Sequence, residues 1–295
     1  MGAAWRSFGA VAVALGVIAC GGNGATVPPP GTDPIDGAPG TGSGPEDAAS
    51  GALDGGGSDA GGSDAGGSDA GTSDAGAWTP KQLPGLSLWL DNSVGVVVDP
   101  ATPGRVARWL DQSGLDNTAE AGGGDGVIKM PALAPGVAGK NAVVCDRQTY
   151  LSVANAPSLQ FGTGDFGIVV VGKAAPLASL FSKASALTLD VTAEATMRLR
   201  TTGAGGGLVL LAGTPTDAFT ITVARGAALG LRVGAASSIG PVSTADVSAG
   251  TAPVMLCRGG LASYISLAEV IVVKGPLGDA DLIKTTAYLK AKFGL

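Results

Sequence analysis

Phe219-Thr-Ile-Thr-Val223 alternates apolar and polar side chains at every step, the period of a strand with one face buried and the other wet. Leu187-Thr-Leu-Asp-Val191, Leu229-Gly-Leu-Arg-Val233 and Met197-Arg-Leu-Arg200 repeat the pattern. Ile168 to Val171, Leu208 to Leu211 and Val270 to Val273 are instead continuous apolar runs, as expected of strands covered on both faces. Gly-Gly, Gly-Thr and Thr-Pro pairs punctuate these runs at intervals of roughly 8 to 12 residues, the spacing of an all-β sandwich or barrel. Gly203 to Gly207 leads into a strand rather than a helix, so it reads as a hairpin turn and not as a phosphate loop. One helix is expected, at the end. Asp279 and Asp281 stand in its first turn, Leu282, Ile283, Leu289 and Phe293 form its apolar stripe, Lys290 and Lys292 fall in its last turn, and Gly294 follows as a C-cap.

Outward from these strands the chain divides in two. The first 77 residues carry nine of the 24 acids and a single base, Arg6; residues 78–295 carry 17 bases against 15 acids, a balance of +2. The formal charge of -6 therefore belongs to the N-terminal segment. From Gly21 to Gly76 the composition is dominated by Gly, Ala, Pro, Ser, Thr and Asp, with no aromatic residue and no base. Such a segment cannot bury enough apolar surface to offset the entropy of ordering it, so residues 20–77 are expected to form a disordered linker. Ser-Asp-Ala recurs within it from positions 58, 63, 68 and 73. Calcium-binding repeat helices need an apolar residue in each unit, and this repeat offers only Ala, so a spacer is the better reading. Its root-mean-square span would be about 40 Å by the square-root rule.

Residues 1–19 read as a secretory signal peptide: Met1 and Arg6 supply positive charge ahead of an apolar run. The 13 residues from Phe8 to Cys20 are fewer than the roughly 20 that a membrane-spanning helix requires. Val17-Ile18-Ala19-Cys20 resembles the bacterial lipoprotein signal, in which cleavage precedes the Cys and its sulfur is acylated. That resemblance implies a lipidated Cys20, a membrane partner through the lipid, and placement in the cell envelope. Gly21 is not the Asp that commonly retains such proteins at the inner membrane, so an outer-membrane lipoprotein is expected, with the periplasmic and the surface-exposed face both open. The alternative is an ordinary cleaved signal with an incidental Cys.

Several functions are excluded by composition. The chain has no His, which removes Ser/His/Asp and Cys/His nucleophilic sites and His-ligated zinc; three Cys cannot form a four-Cys zinc site. The acidic balance argues against nucleic acid as a partner.

Pro84 to Asp91, Trp109-Leu-Asp-Gln-Ser-Gly114, Tyr150-Leu-Ser-Val153, Phe166 to Val171 and Leu267 to Val273, with the closing Tyr288-Leu-Lys-Ala-Lys-Phe-Gly-Leu295, resemble the concanavalin A-like, laminin-G-like jelly-roll modules of bacterial surface proteins. The resemblance covers nearly all of residues 78–295. It implies a two-sheet antiparallel jelly-roll sandwich of about 12 to 14 strands with one C-terminal helix. Cys145 stands where such modules often have Phe, and Gly278 where they often have Ser before the helix. Fold alone does not confer function, and the implied one is a non-catalytic module for binding or adhesion to an extracellular glycan or protein; a structural lipoprotein without a ligand and a glycoside hydrolase are the alternatives.

Candidate residues follow. Asp111, Asp116 and Asn117 form an oxygen-rich loop after Trp109 that could meet a ligand or calcium, although its spacing matches no defined calcium loop and turn formation explains the same residues. Asp190, Thr192 and Glu194 are expected on one face of one strand, about 13 Å from first to last at strand rise, too far for a retaining carboxylate pair and better read as a polar face beside Arg198 and Arg200. Glu269 is expected to share a face with Leu267 and Ile271 and to be a structural carboxylate satisfied by backbone or a base. Cys145 and Cys257 remain once Cys20 is acylated; their apolar contexts leave a disulfide and two buried free thiols equally open. Trp89 and Trp109 fall in core positions of the resembled fold, leaving a glycan-facing surface poor in aromatics. Rim loops at 111–117, 122–126 and 258–264 are where a partner could be met.

Overall fold

The structure, a computed structural model, describes residues 78–123, 129–146, 148–226, 228–259 and 264–295. The expected signal peptide, Cys20, the 20–77 linker and parts of the rim loops at 122–126 and 258–264 lie outside the described residues. In chain order the strands begin with β1 (Leu86–Asp91), β2 (Val96–Val98), β3 (Val106–Trp109), β4 (Ala119–Gly123), β5 (Ala132–Pro135), β6 (Asn141–Cys145) and β7 (Thr149–Val153). Next come β8 (Phe166–Ala174), β9 (Ala178–Lys183), β10 (Leu187–Val191), β11 (Met197–Thr201) and β12 (Leu208–Leu211). The last are β13 (Thr220–Arg225), β14 (Ala228–Val233), β15 (Ala236–Val242), β16 (Val254–Gly259) and β17 (Ile265–Lys274), before helix α1 (Asp279–Phe293).

These strands form a two-sheet antiparallel jelly-roll sandwich with one C-terminal helix. The eight-stranded sheet runs β15-β14-β13-β8-β17-β6-β5, with β1 also paired to β17; the nine-stranded sheet runs β12-β11-β10-β9-β16-β7-β4-β3-β2. Among the described residues there are 17 strands, more than the 12 to 14 expected, because short segments such as β2 and β5 pair without announcing themselves by alternation. β17 is the keystone of its sheet. It pairs with β8 along nearly its whole length on one side, and on the other with β6 at Ile265 to Leu267 and β1 at Glu269 to Val273.

Between the sheets lies one core, with Trp109, Leu88, Leu151, Phe181, Leu189, Leu199, Ile168 and Val270 all buried. Cys145 of β6 and Cys257 of β16 are joined across it by a disulfide, with Cα atoms 5.8 Å apart. A regular strand would turn Cys257 away from the core once Leu256 faces it. Both residues are buried inward because Cys257 takes φ 61, the left-handed region that side chains rarely occupy.

A second apolar cluster lies outside the eight-stranded sheet. Trp89, Val169, Val171, Ile221, Val223, Ile271 and Val273 pack beneath Leu282, Leu289 and Phe293 of α1. This explains why β8 and β17 read as continuous apolar runs: one face meets the other sheet and the other meets the helix. It also corrects the reading of Phe219 to Val223. Ile221 and Val223 point under the helix, while Thr222 is the side chain turned toward the other sheet, beside Val170 and Val233. Leu208 to Leu211 departs from expectation in the other direction: Leu208 and Leu210 are exposed, because they fall on the outer face of the nine-stranded sheet, while Val209 and Leu211 face the core. The helix is as expected except that Ile283 is 69% exposed and Thr285 takes the buried position. Gly294 caps it in the left-handed conformation, and Gly278 gives its N-terminus no side-chain cap. No helix among the described residues is long and apolar enough to cross a membrane.

Candidate functional site

Nothing in the described residues covers the outer face of the nine-stranded sheet as α1 covers the other. Cross-strand register places one unbroken row on it: Leu208, Arg200, Thr188, Ser182, Met255, Ser152, Glu120 and Arg108. Directly opposed residues share a face, and the neighbours of this row in each strand, such as Leu199, Leu187, Phe181, Leu151 and Trp109, belong to the core. A second, shorter row runs Leu210, Arg198, Asp190, Ser179 and Arg258. At the β3–β4–β7 end the face hollows into a cavity of about 530 Å³ lined by Arg108, Leu110, Asp116, Thr118, Glu120 and Ser152.

Three features of this face can engage a saccharide. Among the described residues, the hydroxyls of Ser152, Ser182 and Thr188 make no hydrogen bond within the protein, although Ser182 and Thr188 are buried. Arg108, Asp116 and Glu120 supply both signs of charge around one cavity. The half-buried Tyr150, two residues before Ser152 and on the same face, lies over Gly122, where any Cβ would collide with its ring. Sequence reasoning missed Tyr150 as a surface residue, although the alternation of Tyr150-Leu-Ser-Val153 carries the signal. Phe219 lies beside α1, away from this face, with the Lys173 ammonium 5.8 Å from its ring centre.

The oxygen-rich loop is split. Asp111 is its internal scaffold: Oδ1 accepts from the Trp89 and Ser113 amides, both at 2.9 Å, and Oδ2 from Ser113 Oγ at 2.6 Å and the Asn117 amide at 3.0 Å. Asn117 is buried and donates Nδ2 to Ser87 O at 2.6 Å and Ser158 Oγ at 2.9 Å. Asp116, with φ 56, is turned into the cavity. With the oxygens of Asp111 already occupied by protein donors, the three residues do not fit a calcium ion. Among the described residues no group of three acidic or Cys side chains could hold a metal.

Asp190 and Glu194 are likewise separated. β10 ends at Val191, so Glu194 stands in the following turn rather than on the strand face, where the Thr192 side chain and its own backbone hold its carboxyl below the usual range. Asp190 is not solvated but nearly buried, and Arg198 donates to both its oxygens at 2.8 and 2.7 Å.

Glu269 belongs to a different cluster, beneath α1. A register shift between Leu267 and Glu269 sends Leu267 into the inter-sheet core, so the two do not share a face as expected. The carboxylate accepts from Trp89 Nε1 at 2.8 Å and from Lys292 Nζ at 2.7 Å, and Lys292 also meets Asp91 at 2.6 Å. Burial pushes Glu269 up to about 7, against the opposing pull of Lys292, and Tyr288 up to about 12. Burial alone would lower Lys292, but the Glu269 and Asp91 carboxylates hold it above its ordinary value. Two acids and one base, all enclosed, make this a structural clasp between helix and sheet. Lys183 was also missed: it is fully buried, bonds Asn155 Oδ1 at 2.8 Å and Ala252 O at 3.1 Å, and is lowered by burial.

No protein-family model and no curated protein matches the sequence. The fold is similar to domain 4 of AbnA, a GH43 extracellular arabinanase from Geobacillus stearothermophilus, in complex with arabinotriose. The TM-score is 0.50 at 14% identity, over 68% of this chain and 97% of that one. It is similar also to the binding domain of Paraclostridial Mosquitocidal Protein 1, with TM-score 0.49 and 11% identity over 71% of this chain and 53% of that one. A structure of botulinum neurotoxin type C, which interacts with two ganglioside molecules, gives TM-score 0.47 and 8% identity over 68% and 51%. The chain thus spans about half the length of the latter two. At these identities the likeness is one of fold.

Proposed function

We propose that the protein is a lipid-anchored envelope lipoprotein whose sandwich binds an extracellular glycan without covalent chemistry. The observation that carries the binding reading is the uncovered row from Arg200 to Arg108, which ends in a cavity where Arg108, Asp116, Glu120 and Ser152 converge beside Tyr150. Sugars present hydroxyls and flat apolar faces, and this surface offers unused hydroxyls, charged groups and an aromatic ring. The row spans seven strands, roughly 29 Å at the usual inter-strand spacing, which favours an extended chain over a monosaccharide. The lipid reading rests on Val17-Ile18-Ala19-Cys20, and places the module at the outer membrane, displayed beyond its linker.

Titration of the full-length chain with arabinotriose and longer neutral oligosaccharides tests the binding. Ser152→Ala and Tyr150→Ala should weaken it, and unchanged affinity in both would remove the face from consideration. Cys20→Ala should leave the chain without lipid, either released to the aqueous fraction or unprocessed, and wild-type protein free in the aqueous fraction would overturn the anchor. Because Asp116 and Glu120 line one cavity, a hydrolase is the second reading: oligosaccharide cleavage abolished by Glu120→Gln would replace the binding module with it.

A further inference from the structure

Arg200 stands in the middle of β11, half-buried between Leu208 of β12 and Thr188 of β10. Unlike its neighbour Arg198, whose guanidinium is clasped by Asp190, Arg200 pairs with no carboxylate among the described residues, and its buried Nε has no hydrogen-bond partner. Arg258, exposed at the near end of the parallel row, also has no acidic partner there; Ser179 stands opposite it. The only acid in either row on the β9–β12 half is Asp190, already neutralised by Arg198. With Asp190 and Glu194 both acting on Arg198, Arg200 is left without an opposing acid in its row, whereas the β3–β4 half sets Arg108 against Glu120 and Asp116.

A guanidinium whose buried Nε lacks a hydrogen-bond partner is costly to the free protein. Its planar fork matches the two oxygens of a carboxylate or sulfate, and the unused hydroxyls of Thr188 and Ser182 lie next along the row. We propose that Arg200 forms an oxyanion subsite, so that the ligand of this face is an acidic polysaccharide bearing carboxylate or sulfate groups. This rests on the glycan-binding reading and narrows it: one carboxylate or sulfate of the chain would lie over Arg200, with sugar hydroxyls over Ser182, Met255 and Ser152.

Three oligosaccharides of equal length distinguish the possibilities in titrations of the full-length chain: a galacturonate hexamer, its carboxyl-reduced neutral counterpart, and a sulfated galactan hexamer. The galacturonate or the sulfated hexamer should bind at least about tenfold tighter than the neutral one, with affinity falling as salt rises. Whichever binds tighter names the oxyanion. Arg200→Gln should abolish that preference, so that acidic and neutral hexamers bind alike, Arg200→Lys should restore only part of it, and Arg232→Gln, on the other sheet, should leave the preference as it is. Thermal melting confirms that each variant is folded. Equal affinity for neutral and acidic hexamers, or an Arg200→Gln variant that keeps the preference, overturns the oxyanion subsite and leaves glycan binding standing. Binding of none of the three overturns both.

Discussion

Under helix α1 the eight-stranded sheet turns outward Trp89, Val169, Val171, Ile221, Val223, Ile271 and Val273, whereas the nine-stranded sheet turns outward Arg108, Glu120, Ser152, Ser182, Thr188 and Arg200. Both sheets contribute to the same core, so the difference lies wholly in what each outer face requires. An apolar face must be covered, and this one is closed by a helix clasped through Lys292 to Asp91 and Glu269. A polar face has no such need, and its side chains stay free for a partner. Coverage by the chain itself therefore separates a structural face from a candidate binding face.

The largest effect should fall on both faces alike. Replacing Cys145 and Cys257 by Ser opens a link between residues 112 apart and should cost about 4 to 5 kcal/mol in urea unfolding. A loss no larger than a surface substitution would show that packing alone joins the sheets. Next, Phe293→Ala should cost about 3 to 5 kcal/mol and expose the eight-stranded sheet to a hydrophobic dye. Dye binding equal to that of the wild type would mean that the helix is not the cover.

The clasp also predicts a pH response confined to the helix-covered side. Glu269 sits at about 7 when folded and near 4.5 when unfolded, so folding favours its protonated form. That contribution is complete below pH 4.5 and is lost as pH rises through 7, about 3 kcal/mol in all. Glu269→Gln should flatten the change in thermal midpoint between pH 4.5 and 7; a profile parallel to the wild type would place the titration elsewhere. The smallest effect belongs to the open face. Ser152→Ala, at a half-exposed position, should change stability by no more than about 0.5 kcal/mol, and a larger loss would mark that face as structural.

Strand alternation was enough to reveal a sandwich, because side chains two apart must share a face. It could not tell which face met the other sheet, since Ile221 and Val223 are as apolar under a helix as they would be between sheets. The register shift at Glu269 and the left-handed Cys257 were illegible for a related reason: each breaks the period of two, and only three-dimensional pairing shows where. On the candidate site, Asp116 was found by its loop chemistry. Its companions Asp111 and Asn117 proved to be the loop's own fastening, which a list of oxygen-bearing residues cannot distinguish from ligands. The alternation of Tyr150-Leu-Ser-Val153 and Met197-Arg-Leu-Arg200 marks Tyr150 and Arg200 as facing outward, but that they share one face with Ser152 and Glu120 showed only once the register aligned seven strands in a row.

The pairing of β1 with β17 bears on how the fold carries mechanical load. A pull arriving from the N-terminal side reaches the sandwich at Trp78, which rests edge-on against Tyr288 of the helix with ring centres 6.0 Å apart, and then passes into β1. β1 is antiparallel to β17, from Leu86 opposite Val273 to Asp91 opposite Glu269. Tension along its axis therefore strains these bonds together in shear instead of peeling them one by one. At the far end Asp91 is pinned by Lys292, so the helix acts as a stop against the strand sliding out. Such a joint resists sudden tugging far better than a hairpin opened from its tip, a property that would suit the proposed tethered, glycan-binding module.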